Sequence, residues 1–127
     1  MNPENKLAWH WLQPDGRLRG GLEAIPGKTY RIDPPLVLCE RGLHFSYRAI
    51  DALGYATSDI VTVVRVCGTV IDKGDKGCCS RRTIVAGPMD ATDTLRAFSR
   101  WCALQVIHLW DCPPIVKEYM ETGKEEL

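Results

Sequence analysis

Bulky and small residues alternate along Lys6–Leu12 (KLAWHWL) until Pro14-Asp15-Gly16 interrupts them, which predicts a strand running into a turn. Residues 15–35 are rich in Gly, Pro, Arg and Lys with little periodicity, and only Thr29-Tyr30-Arg31-Ile32 has strand character. Leu36–Cys39 and Leu43–Ser46 are apolar runs on either side of Gly42 and predict two short strands. From Ser46 the period changes. Ala49, Ile50, Leu53 and Ala56 recur at three and four residues, predicting a helix capped by Ser46 and ended by Gly54. Asp59–Ile71 is β-branched along most of its length and predicts a central strand, with a bulge or bend at Gly68. Asp72–Gly77 is a polar turn, and Cys78–Val85 is the returning arm of an antiparallel hairpin.

Beyond Gly87-Pro88 the strand pattern disappears. Asp90-Ala91-Thr92-Asp93 supplies a cap and first-turn acids for a helix over 91–110. Its apolar residues Leu95, Phe98, Trp101, Cys102, Leu104, Val106, Ile107, Leu109 and Trp110 occupy more than one stripe, which predicts cover on two sides. Pro113-Pro114 opens a last short helix that Gly123 closes. Strands first and helices last define an α+β class. The expected architecture is one domain over 1–127, β-rich over 6–85, helical over 88–122, with a short acidic tail at 123–127. Its twisted, mostly antiparallel sheet would contain residues 6–12, 43–46, 60–71 and 78–85, with helix 91–110 packed on it.

Composition narrows the partners. Sixteen Lys and Arg balance sixteen Asp and Glu, so no global field draws in nucleic acid or an anionic membrane. No apolar run approaches 18 residues and the start is polar, which predicts a cytoplasmic chain with no membrane partner. The six cysteines are then expected as thiols, most of them small buried hydrophobes; they offer no C-x-x-C spacing, and no metal site is expected. Cys78-Cys79 would serve as an oxidation sensor only if exposed.

Two basic clusters are candidates for phosphate or nucleic-acid contact. They are Arg17 and Arg19 ahead of Gly20-Gly21, and Lys73, Lys76, Arg81 and Arg82 around the hairpin turn. Each also fits a solvated loop or turn, and nucleic acid is the weaker partner. His10, between Trp9 and Trp11, and His44, beside Phe45, are the candidate chemical groups, each of which also fits a structural histidine on a strand. No paired carboxylates, Gly-x-Ser-x-Gly elbow or His-Glu-x-x-His helix is present.

Leu7-Ala8-Trp9-His10 resembles the first-strand motif of ADP-ribosyltransferases of the poly(ADP-ribose) polymerase type, and Gly42-Leu43-His44-Phe45 through Tyr55 is similar to their second motif. That resemblance implies an ADP-ribosyltransferase-like fold, with His10 on an NAD ribose, His44 at the position of a stacking tyrosine and Tyr55 as the other wall of a nicotinamide pocket. His10, Gly42, His44 and Tyr55 would bind NAD, and His10, His44 and Tyr55 would be the catalytic set. Ala52 stands where that family has a serine, and the glutamates after Glu40 are all C-terminal: Glu118, Glu121, Glu125 and Glu126. Two histidines at these positions are closer to RNA 2′-phosphotransferases, which implies an RNA 2′-phosphate as the alternative substrate.

A second resemblance covers more of the chain. Gly27-Lys28-Thr29-Tyr30, Cys39-Glu40-Arg41-Gly42-Leu43-His44, Leu53-Gly54-Tyr55, Val66-Cys67-Gly68, Asp75-Lys76 and Arg82-Thr83-Ile84 look like the recurrent motifs of an uncharacterised domain found in phage and bacterial proteins. It implies a phage or mobile-element accessory protein. With the catalytic acid absent, the expectation is a cofactor-free protein that inhibits a host complex, a CRISPR-type defence complex among the candidates, by protein binding. Trp9, Trp11, Trp101 and Trp110 are its candidate aromatic anchors. The alternative is the NAD- or RNA-2′-phosphate-dependent enzyme.

Overall fold

The computed structural model describes residues 6–125; the polar start at 1–5 and the last two residues of the acidic tail lie outside the described residues. The protein is α+β, with a five-stranded antiparallel sheet and three α-helices among the described residues. Two compact units divide it, Met1–Asp90 with all the strands and Ala91–Leu127 with the later helices.

In the first unit, β1 (Leu7–Trp11), β2 (Thr29–Arg31), β3 (Leu43–Phe45), β4 (Ile60–Asp72) and β5 (Gly77–Asp90) run in the order β1-β4-β5-β2, with β3 also on β5. β4 and β5 form the expected hairpin, whose turn closes with Lys73 N–H donating to the Lys76 carbonyl at 2.9 Å. β5 pairs with β4 along one edge. Its other edge takes β3 at Gly77–Cys79 and β2 at Arg81–Thr83. Just past β3, Ser46 bonds both ways with Trp9 of β1, so the sheet curls toward itself without closing. The core is the cluster Ala8, Leu12, Leu18, Tyr30, Phe45, Val64, Val66, Cys79 and Ile84. Alternation sets this inventory: Val64 and Val66 point inward while Arg65 is exposed.

The bulge predicted at Gly68 is present as a register shift between Cys67 and Val70. Gly68 has φ +75°, and a Cβ there would sit 2.1 Å from Ser80 Oγ, the atom that accepts the Thr69 N–H at 2.8 Å.

Several expectations are corrected. Leu36–Cys39 is not a strand: Val37 and Arg41 close a tight loop by an isolated bridge, because the segment turns back before a ladder can form. Ser46 caps nothing; it is buried and paired with Trp9, and α1 (Ala49–Leu53) begins after Arg48 with no side-chain cap. Strand structure does not end at Gly87-Pro88, since Met89 and Asp90 still pair with Val61 and Ile60.

In the second unit α2 spans Thr92–Gln105 rather than running to Trp110. A 3-10 turn at Ile107–Leu109 and α3 (Pro114–Thr122) follow, with Gly123 closing α3 in the left-handed region. Val106 and Ile107 are β-branched, which disfavours helical continuation, and Val106 has left the helical region at ψ 9°. No residue of α2 is buried. No helix among the described residues is long and apolar enough to cross a membrane.

Candidate functional site

A cleft of about 500 Å³ opens in the first unit, and six separate segments contribute to it. β1 brings His10, the 36–42 loop and β3 bring Cys39, Gly42 and His44, the end of α1 brings Ala52 and Tyr55, β2 brings Tyr30 and Arg31, and the hairpin brings Lys76 and Arg82. Arg19, from the irregular stretch after β1, also lines it. His10, His44 and Tyr55, far apart in the chain, therefore converge on one opening.

Arg82 carries the strongest physical signal. It is 3% exposed, in line with Ser80 and Ile84 on the inward face of β5. Its Nη1 donates to the His44 carbonyl at 2.5 Å, and its Nε has no partner. Burial pushes its pKa down to about 10, opposed only in part by Cys79 and Tyr30, so it remains a cation near neutrality. No carboxylate pairs with it among the described residues, and no Asp or Glu lines the cleft. The assignment of Arg82 to a solvated turn is thus overturned by strand alternation.

His10 is half-buried on the face shared with Ala8 and Leu12, and its backbone carbonyl accepts the Thr62 hydroxyl at 2.7 Å. Burial, then the positive charge of Arg82, then His44, hold its pKa well below the usual histidine value. It is neutral at pH 7. His44 is lowered too, by burial first and then by Arg19, Arg82 and Lys76, while a hydrogen bond to the Gly42 backbone opposes. Its Nε2 accepts the Cys39 N–H at 2.8 Å, which fixes that nitrogen as unprotonated and commits it to the loop. His44 is a clamp on residues 39–44.

Gly42 serves the same loop. With φ +152° and a would-be Cβ 2.8 Å from Cys78 Cβ, the position admits no side chain. Arg41 ties the loop outward by donating Nε and Nη2 to the Asp33 carbonyl at 3.2 and 2.8 Å. Across the opening, the Tyr55 hydroxyl donates to Asp75 and Lys76 Nζ lies 5.1 Å above the Tyr55 ring. The Asp75 hydrogen bond raises the Tyr55 pKa, so the phenol stays neutral.

Of the six basic candidates, Arg19, Lys76 and Arg82 line the cleft, whereas Arg17, Lys73 and Arg81 do not. Arg17 spends Nη1 on the Gly21 carbonyl at 3.0 Å. Tyr30, Arg31 and Cys39 of the site went unassigned in the sequence; the odd-even pattern of β2 gave no reason to place Arg31 at an opening. All six cysteines are free, Cys78 and Cys79 being buried and Cys39 and Cys102 exposed. Burial of both vicinal thiols removes them as oxidation sensors, and it pushes Cys79 up to about 11. No cluster of metal-ligating side chains occurs among the described residues. No family model, curated protein or solved structure matches the chain.

Proposed function

We propose that the cleft binds the phosphate-bearing end of a nucleotide, with Arg82, Arg19 and Lys76 as counter-charges, His10 as a neutral hydrogen-bonding group and Tyr55 as a stacking wall. The observation that carries this reading is Arg82, a buried guanidinium with no carboxylate partner beside a cleft whose lining holds cations and no acid. An unpaired buried charge is expensive, and an anionic ligand offsets that expense when it arrives. The resemblance to ADP-ribosyltransferases and RNA 2′-phosphotransferases supplies the ligand candidates, NAD and an RNA 2′-phosphate. An acid-free lining suits phosphate recognition better than glutamate-assisted transfer of ADP-ribose.

The test is titration with NAD and with a 2′-phosphorylated oligoribonucleotide, each against its counterpart without phosphate. Saturable binding of a phosphorylated member alone is the expected result, and His10→Ala should weaken it by about 1–3 kcal/mol through a lost hydrogen bond. Equal affinity for the counterparts overturns the reading.

A second reading, an accessory protein of phage or mobile-element origin that inhibits a host complex by protein binding, is favoured by the second unit. Trp101 is 57% exposed, Leu109 71% and Trp110 50%, more apolar surface than a short helical pair usually leaves open. Trp9 and Trp11 border the cleft instead and are half-buried. Retention of a host protein that survives His10→Ala but is lost in Trp101→Ala or Trp110→Ala supports this reading; loss in neither tryptophan variant removes it.

A further inference from the structure

We propose that Cys39 is a modification site, a thiol presented at the mouth of the cationic cleft that exchanges with small carboxylate-bearing disulfides such as glutathione disulfide and so caps the cleft. The proposal rests on the cationic lining of the cleft and not on which nucleotide binds there.

The cysteine-x-x-glycine-x-histidine segment folds into a device for holding this one thiol. His44 Nε2 accepts the Cys39 N–H at 2.8 Å, and Gly42 lets the backbone pass against Cys78. Cys39 itself sits at φ +69°, the left-handed region that non-glycine residues avoid and that only the surrounding clamps sustain. Cys39 is an exposed residue, and its sulfur accepts a hydrogen bond from Lys76 Nζ at 3.1 Å. That contact raises the Lys76 pKa, so the ammonium persists beside the sulfur.

A second observation, independent of the cysteine, directs the choice of reagent. Arg82 lines the same cleft, is more than nine-tenths buried, and has an Nε with no partner. Together with Arg19, Arg31 and Lys76 it gives the lining its positive charge, and the acid beside it, Asp75, is taken up by the Tyr55 hydroxyl. Among the other thiols, Cys78 and Cys79 are buried, and Cys102 is exposed with no hydrogen bond to a cation among the described residues.

The chemistry balances without a further reagent. The Cys39 thiol loses its proton to solvent, since an ammonium at Lys76 cannot accept it. The sulfur attacks one sulfur of the incoming disulfide, a new S–S bond forms, the old one breaks, and the other half leaves as a thiolate that solvent protonates. Cys39 is oxidised, the departing half is reduced, and excess reduced thiol reverses the step. The retained half carries its carboxylates toward Arg19, Arg31 and Arg82.

The experiment exposes the intact chain in parallel to glutathione disulfide and to the neutral bis(2-hydroxyethyl) disulfide, and follows Cys39 and Cys102 by peptide mass mapping. The rate ratio of Cys39 to Cys102 should be about tenfold higher with the anionic reagent, and Lys76→Met should collapse that preference. Equal ratios for the two reagents, or a preference untouched by Lys76→Met, overturn the proposal. No nucleotide enters the assay, so a cleft that fails to bind nucleotides leaves this result unaltered.

Discussion

A guanidinium taken out of water is held at a loss unless a partner restores its charge balance, and Arg82 has only the His44 carbonyl. Replacing it by an apolar side chain of similar length should therefore leave the fold intact. Arg82→Met is expected to unfold at the same or a higher denaturant midpoint, by up to about 2 kcal/mol, while phosphate-ligand affinity falls by about 1.5–3 kcal/mol. Chemical denaturation alongside ligand titration checks both halves. His10 gives a second residue-level prediction. Its folded pKa lies below its unfolded value of 6.5, so the unfolded chain binds the extra proton. Stability is full above about pH 6.5 and falls as pH drops below it, by at most about 1.4 kcal/mol per pH unit from this group. Urea midpoints from pH 8 to pH 5 measure the decline, and His10→Asn should make it shallower, leaving the share that His44, also lowered, contributes. The position of Arg82 was legible in the sequence through its parity with Ile84, yet the run of neighbouring charges suggested a turn. What alternation could not supply is the third dimension: that β3 and β2 share one edge of β5, at Gly77–Cys79 and Arg81–Thr83, and that residues 77–80 are buried without alternation.

At the scale of elements, the 36–46 segment shows where local pattern stops informing. Leu36-Val37-Leu38-Cys39 has the composition of a strand, but Val37 pairs with Arg41 in a tight loop, and Gly42 then runs so close to Cys78 that an added Cβ would sit 2.8 Å from its Cβ. The long β4–β5 hairpin, β2 and the bulge at Gly68 were all readable, because β-branched runs and a lone glycine are local signals. The end of α2 was not, because Val106 and Ile107 continue the apolar period while weakening the helix. Gly42→Ala is expected to destabilise the first unit by about 1–3 kcal/mol through strain at positive φ and overpacking against Cys78. Because the same loop carries Cys39, that variant should also lose the selectivity of Cys39 over Cys102. Thermal melts and thiol mapping on one sample test the pair of effects.

The whole molecule has no net charge, and that balance conceals a cleft lined by Arg19, Arg31, Lys76 and Arg82 without an acid. Ligand affinity is accordingly expected to fall as salt rises from 50 to 500 mM, although a neutral protein has no long-range field to screen. The central claim is tested most directly by calorimetric titration of inorganic pyrophosphate and NAD into the intact chain and into Arg82→Met at pH 7. The account predicts one saturable site of millimolar or tighter affinity for at least one of these ligands, lost in a variant that remains as stable as its parent. No heat from either ligand at millimolar concentration, or the same heat in Arg82→Met, would contradict it.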